Sequence, residues 1–478
     1  MTSYEAVIGL ETHIQLNTKS KIFCSCKADS WGDPPNTNIC PICTGQPGVL
    51  PAPNKAAFEK GVLLAAAMNA DIQPISFFDR KNYFYPDLPK GYQISQYDQA
   101  LAEGGYMDIP LEDGSIRRVR IQKLHIEEDA GKTVRKAGRR LLDFNRCGVP
   151  LVEMVTLPDL HSADEAALFI TRLRQLLRWI GVSHADMEKG HLRIDANVSI
   201  REAGTEALNP KTEIKNVNSI EHIRDAINAE VQRQIKEMEE EHVIRSWTLD
   251  WNEDTQTLSK MRSKETEADY RYFREPDLLP IHLDEERKEE ILASLPELPL
   301  EHKRRFQDQY DLPDYDADIL TSERALSDYF ESTVKSYAGD AKRASNWIIN
   351  DLLGLLNERD LTPDELYLNP PYLADVLSLI DEGTINTSTG KMLLEKVEDQ
   401  RKAPQAIVKE EGLAQVTDSA AIESVCQKVI SENPSQVEQY REGKGAILGW
   451  FIGQVMAKTG GKADPQAVRN TLQQLLQE

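Results

Sequence analysis

Between Val7 and Leu16 the apolar residues Ile8, Leu10, Ile14 and Leu16 alternate with the polar residues Glu11, His13 and Gln15. A period of two is that of a strand with one face in a core. Glu11 and His13 stand two residues apart, so a carboxylate and an imidazole project into the same space. Three later segments repeat the design. Leu124 and Ile126 alternate with His125, Glu127 and Asp129, and the run from Leu192 to Ile200 alternates with Arg193, Asp195, Asn197 and Ser199. Glu153 is the single polar residue of the apolar run Pro150–Val155. A carboxylate there is costly unless a cation or hydrogen bonds compensate it. A solvated face explains any one of these strands. Four together point to a sheet whose polar side lines a pocket for Mg²⁺, a hard cation that takes oxygen ligands and works with substrate phosphates.

The chain has 478 residues, room for roughly three domains. Its net charge of −22 argues against a broad basic surface for nucleic acid but allows a local basic patch. No run approaches the ~20 apolar residues of a membrane span. Nothing resembles a secretory signal, so a cytoplasmic location without a membrane partner is expected. A P-loop, a G-x-S-x-G elbow and a Ser-Ser-Lys amidase centre are all missing from the sequence. The chain is therefore not expected to release ammonia from an amide itself.

Cys24 and Cys26 are followed, after thirteen intervening residues, by Cys40 and Cys43. Two close pairs joined by a Pro-, Asn- and Gly-rich loop suit tetrahedral zinc, and four thiolates leave no open position, which makes the role structural. Free thiols are the alternative. Cys147 and Cys426 read as ordinary buried residues. Phe78–Asp98 packs Arg80, Lys81 and Lys90 among Tyr83, Phe84, Tyr85, Tyr92 and Tyr97, with prolines and Gly91 breaking any helix. On a loop, this mixture suits a nucleotide, rings meeting the base and amines the phosphate; a well-packed loop with snorkelling lysines is the plainer reading. Lys132, after Gly131, could lie near a phosphate. Arg262, Lys264, Arg271 and Arg274 again mix with aromatics. Helices are expected over Asn54–Met68, Ala163–Gly181 and Ser219–Glu241. Past Leu295–Pro299 helical spacing takes over, and another break falls at Ala403-Pro404. In the tail, Arg441, Lys444, Lys458, Lys462 and Arg469 outnumber Glu442, Asp464 and Glu478, so a small basic module could contact RNA.

Taken together, Val7–Gln15, Phe78–Asp87, Gly91–Asp98, His125–Gly131, Glu213–Asn216, Asp269–Phe273 and the tail segment Gly449–Met456 resemble the GatB/GatE family, the B subunits of tRNA-dependent amidotransferases. The resemblance covers essentially the whole chain. It implies an α+β protein: a mixed-sheet cradle domain over 1–295 with a zinc-binding insertion at 24–43, an all-α helical domain over 296–404, and a small all-α YqeY-like tail over 405–478 that contacts tRNA. The implied reaction is phosphorylation by ATP of the side-chain carboxylate of Glu-tRNA(Gln) or Asp-tRNA(Asn), followed by displacement of phosphate by ammonia. In this family the A subunit supplies the ammonia and the C subunit completes the heterotrimer. Phosphoryl transfer needs Mg²⁺ more than a protein nucleophile. On this reading Glu11, His13, Glu127 and Glu153 form the catalytic Mg²⁺ site, with Asp195 beside them, and Arg80, Lys81, Asn82, Tyr83, Tyr85 and Lys132 contact ATP or the aminoacyl end. Cys24, Cys26, Cys40 and Cys43 match the zinc-bearing members. One departure stands out: relatives usually read Glu-Gly-Ser-Leu-Arg-Cys-Asp where this chain has Lys189-Gly-His-Leu-Arg-Ile-Asp195. A non-catalytic RNA-binding adaptor and a free-standing ligase for a small carboxylate are the competing functions, both ranked below the amidotransferase.

Overall fold

The computed structural model describes residues 3–263, 267–415, 419–460 and 463–477; Lys264, Lys462 and Glu478 lie outside them. The alternating segments become neighbouring strands. Leu192–Glu202, Tyr4–Gln15, Pro150–Thr156 and Ile116–Glu128 pair antiparallel in that order at the centre of a ten-stranded sheet. Beyond Leu192–Glu202 come Thr212–Val217 and, parallel to it, Trp247–Asn252, which makes the sheet mixed. Ile8, Leu10, Ile14 and Leu16 enter the main apolar core as the period of two requires, joined by Leu124, Ile126, Val152 and Ile194. The helices Ala163–Trp179 and Ile220–Glu239 close that core through Phe169, Ile170, Leu173, Leu177, Ile223 and Ile227. Both begin at a serine, Ser162 and Ser219, whose hydroxyl accepts from an otherwise unpaired backbone N–H of the first turn. Asn54 caps the Lys55–Ala67 helix in the same way.

Phe78–Asp98, expected as a loop, contains two strands. Asp79–Asn82 pairs with Tyr92–Ser95 on one side and with Phe273–Arg274 on the other. The second partner lies some 190 residues away, so nothing local announces the pairing.

The chain divides into two compact units, Met1–Leu298 and Pro299–Glu478. The second unit is helical among its described residues and holds two apolar clusters. One runs from Phe306 to Leu413 and the other from Ile422 to Leu476. Ala403-Pro404, expected as a domain break, is a helix start: Pro404 is the first residue of Pro404–Glu410, whose Ile407 and Val408 are buried in the first of these clusters. The passage between the clusters lies beyond Leu413.

Candidate active site

Strand register assembles the polar face in rows. Arg193 stands opposite His13, His13 opposite Glu153, and Glu153 opposite His125, so one row crosses four strands. In the next row Asp195 is opposite Glu11. Glu127 stands opposite Leu151, which is opposite Gln15. His13 Nε2 lies 3.7 Å from both Glu127 Oε1 and Glu153 Oε2. Donor atoms of His13, Glu127 and Glu153 lie within 4.8 Å of one another, and so do those of Glu11, His13 and Asp195, which gives two three-donor groups sharing one imidazole. The fold thus brings Glu11, His13, Glu127, Glu153 and Asp195, all at polar positions of the alternating strands, to one place.

Four carboxylates in a half-buried space require compensation. His125 supplies part of it, with Nε2 3.0 Å from Glu153 Oε2. Burial opposes the charge on Glu153, yet His125 and His13 hold its carboxyl well below the usual range. Glu11 goes the other way, raised first by burial and then by Glu153. Lys215 Nζ donates to Asp195 Oδ2 at 2.5 Å, and Arg193 pairs with Asp129 at 3.0 Å. Lys81 stands opposite this face: burial works against its charge, and Glu153 and Glu127 more than restore it. Its ammonium lies 5.0 Å from the centre of the Tyr270 ring. Ser95 Oγ donates to Glu127 Oε2 at 3.2 Å.

The aromatic–basic segment divides by the same alternation. Lys81 turns to the carboxylates, whereas Arg80 makes a two-pronged ion pair with Glu275 and lies 4.2 Å from the Tyr92 ring centre. Asn82 Nδ2 donates to the Arg271 carbonyl at 2.8 Å. Tyr83 donates to Gln93 Oε1 at 3.2 Å, and Tyr85 is exposed, edge-on to Tyr83. Arg80 and Asn82 are thus engaged in holding the strands together, which leaves Lys81 as the cation of the segment at the acidic face. Lys132 is exposed and lines a cleft of about 410 Å³ together with Trp31, Arg146, Lys189 and His191. The departing residues Lys189 and His191 therefore face that cleft. His125, Lys215, Ser95, Tyr270 and Tyr272 also border the site, beyond the residues expected from the sequence. His125 and Lys215 could have been found, since each occupies a polar position on an alternating strand; Tyr270 and Tyr272 reach the site only through tertiary pairing.

The sulfur atoms of Cys24, Cys26, Cys40 and Cys43 converge within 4.8 Å of one another, a set compatible with one structural metal ion. Lys21, fully buried, donates to the Asn38 carbonyl at 2.9 Å and approaches Cys43 Sγ at 3.7 Å. A hydrogen bond with Cys24 is the main cause that lowers Cys43 to about 5. Cys147 is buried, and burial pushes its thiol up to about 12. Cys426 is also buried.

The model of the GatB/GatE catalytic domain matches residues 6–289, which include every residue of this face, and that of the GatB domain matches residues 328–476. The chain belongs to the GatB/GatE family. It is 48% identical to the B subunit of the aspartyl/glutamyl-tRNA(Asn/Gln) amidotransferase of Thermodesulfovibrio yellowstonii over 99% of this chain and 100% of that protein. It is 46% identical to the proteins of the same description from Persephonella marina and Thermotoga maritima, over 99% of each chain.

Proposed function

We propose that this chain is the kinase and transamidase subunit of a tRNA-dependent amidotransferase. The single observation that carries the reading is the convergence of Glu11, His13, Glu127 and Glu153 on one sheet face inside the family's catalytic domain. A carboxylate is a poor acyl donor until one of its oxygens becomes part of a good leaving group. In the proposed reaction a side-chain carboxylate oxygen of Glu-tRNA(Gln) or Asp-tRNA(Asn) bonds to the γ-phosphorus of ATP as the bond to the ADP oxygen breaks. Ammonia then attacks the acyl carbon, the carbon–oxygen bond to phosphate breaks, and the departing phosphate takes up a proton from nitrogen.

The donor set fits Mg²⁺: carboxylate oxygens predominate, and Glu11, Glu127 and Glu153 with His13 would hold the ion, with Asp195 beside them. Bound there, Mg²⁺ would neutralise the charge that develops on the transferring phosphoryl group. Lys81 adds a fixed positive charge facing the same space, and its aromatic surroundings restrict water. Arg80 and Asn82 position the strand that carries Lys81, while Tyr83, Tyr85 and Lys132 are the remaining candidates for contacts with ATP or the aminoacyl end. The four cysteines would hold a structural zinc.

Among the described residues no helix is long and apolar enough to cross a membrane, which suits a translation enzyme of the cytoplasm. Its partners on this reading are the A and C subunits of the heterotrimer, the first delivering ammonia, together with misacylated tRNA held partly by the helical tail. The experiment supplies the chain in complex with those two proteins with radiolabelled Glu-tRNA(Gln), ATP, Mg²⁺ and ammonium. Labelled Gln-tRNA is expected. Tight tRNA binding without product would favour the adaptor, and turnover of a free carboxylate without tRNA would favour the free-standing ligase.

A further inference from the structure

Several surface and half-buried arginines of the first unit are matched by carboxylates. Arg118 pairs with Asp108, Arg120 with Asp159, Arg201 with Glu5, and Arg287 with Glu59 and Glu290. The hairpin made by Lys132–Lys136 and Arg139–Asp143 gathers five cations without such partners. Lys132, Arg135, Lys136, Arg139 and Arg140 are all exposed, and none of the five makes an ion pair among the described residues. Acidic residues are abundant, 78 against 56 basic ones, so the lack of partners is not a matter of supply. Register sharpens the point. Lys136 stands directly opposite Arg139 and Arg135 directly opposite Arg140. Like charges at directly opposed positions destabilise a strand pair.

The hairpin is nevertheless held firmly in shape. Ala137 and Gly138 form its two-residue turn with φ of 49° and 73°, the mirror-type turn that matches strand twist. At its root, Asn36 Nδ2 donates to the Leu142 carbonyl at 2.9 Å, the Asn36 N–H donates to Asp143 Oδ1 at 3.1 Å, and the Phe144 N–H donates to Asn36 Oδ1 at 2.8 Å. Asn145 Nδ2 donates to the Pro34 carbonyl at 2.9 Å. Asn36 and Pro34 belong to the loop between the two cysteine pairs, so that loop clamps the hairpin. The root opens on the 410 Å³ cleft whose rim carries Trp31, 61% exposed, from the same loop. Gln15 also lines the cleft, two residues beyond His13 on the same strand face and therefore about 7 Å from it. An extended glutamyl ester spans about 6 Å from side-chain carboxyl to ester oxygen.

We propose that the Lys132–Asp143 hairpin is an RNA-docking arm. Its cations bind backbone phosphates next to the 3′ end of the aminoacylated RNA, and the terminal base stacks on Trp31 in the cleft at the root. The inference rests on the reading that the substrate is an aminoacylated tRNA. Phosphates spaced along a strand relieve both like-charge pairs at once. A protein partner fits less well, because charged residues are depleted at the centres of protein interfaces and here Val134 and Leu141 are the hairpin's exposed apolar pair.

The test uses the heterotrimer with the A and C subunits, assembled in turn on three versions of this chain. These are the wild type, the variant Arg135→Gln/Lys136→Gln/Arg139→Gln/Arg140→Gln, and the conservative Arg135→Lys/Arg139→Lys/Arg140→Lys. Binding of misacylated tRNA is read by fluorescence anisotropy at several salt concentrations, alongside KM for tRNA and for ATP. The glutamine variant is expected to weaken tRNA binding about tenfold or more and to make the slope of log K against log salt shallower by about 2–4. KM for ATP should stay the same, and the lysine variant should retain most of the affinity. Unchanged affinity and slope would overturn the proposal. So would failure of the glutamine variant to assemble into the heterotrimer, which would make the hairpin part of a protein interface. Because binding is measured directly, wild-type product formation with an unchanged slope removes the arm and leaves the reaction standing. Altered binding without product formation by the wild type does the reverse.

Discussion

The acidic sheet face and the basic hairpin both crowd like charges, and they resolve the crowding in opposite ways. On the sheet face Glu11, Glu127, Glu153 and Asp195 are answered from within by His13, His125, Lys81 and Lys215. On the hairpin four of the cations oppose one another in register with no carboxylate beside them. Burial accounts for the difference. Charges withdrawn from water must find internal partners or neutralise, whereas exposed ones are screened by solvent and can wait for an external ion. A partly compensated acidic face suits a small cation and a reacting phosphate; an uncompensated basic ribbon suits a polyanion.

The largest effect that could break this contrast is Glu127→Gln, which keeps the shape of the side chain and removes one charge from the acidic face. Transamidation should fall on the order of 10²–10³-fold while the partner glutaminase continues to hydrolyse glutamine. A rate of Gln-tRNA formation equal to wild type would sink the metal assignment and leave the acidic face as a structural network only.

Cys40→Ser tests whether the two regions depend on one scaffold. Losing a thiolate from the four-cysteine set should cost on the order of several kcal/mol locally, seen as a lower melting temperature and loss of metal in elemental analysis. Because the cysteine loop clamps the hairpin through Asn36 and Pro34, tRNA affinity should drop with KM for ATP little changed. A purified wild-type chain free of bound metal would remove the basis for this expectation.

Removing residues 416–478 probes a second source of RNA affinity. The cut spares Ile407, Val408 and Leu413, which belong to the preceding apolar cluster. About tenfold weaker tRNA binding with unchanged ATP binding is expected, since a second attached contact raises effective concentration. Equal affinity would discard the tail as an RNA contact and put the whole footprint on the first unit.

Arg120→Ala is the control with the smallest expected effect. Asp159 is partly buried, which opposes its charge, but its bonds from Arg120 hold its carboxyl below the usual range. A carboxyl lowered by folding stabilises the native state above its unfolded pKa of about 4 and loses that contribution as pH falls through the folded value. Arg120 is largely exposed, so the pair should be worth less than about 1 kcal/mol at pH 7. Urea midpoints of variant and wild type should differ slightly at pH 7 and coincide near pH 2, with tRNA affinity untouched. Weakened tRNA binding would show that matched arginines contribute as much as unmatched ones, and the contrast would fail.

The sequence carried the strands of the acidic face because their period of two is local, and Glu11, His13, Glu127, Glu153 and Asp195 could be singled out before any fold was known. Spacing alone likewise paired Cys24 and Cys26 with Cys40 and Cys43, and Asn54 and Ser219 marked helix starts through their own side chains. Register was another matter. That His13 faces Glu153 and Glu153 faces His125 depends on which strands become neighbours, and those choices are made by core packing between segments far apart along the chain. The same holds for Asp79–Asn82, which turns Lys81 toward the acid and Arg80 toward Glu275 only once Phe273–Arg274 pairs with it. Near Ala403-Pro404 a local helix-start signal looked like a domain break, until the burial of Ile407 and Val408 placed the helix in the preceding core. Identity and periodicity are properties of neighbours along the chain. Which charges meet, and which are left without partners, is settled by contacts between distant segments, and only the tertiary structure contains those.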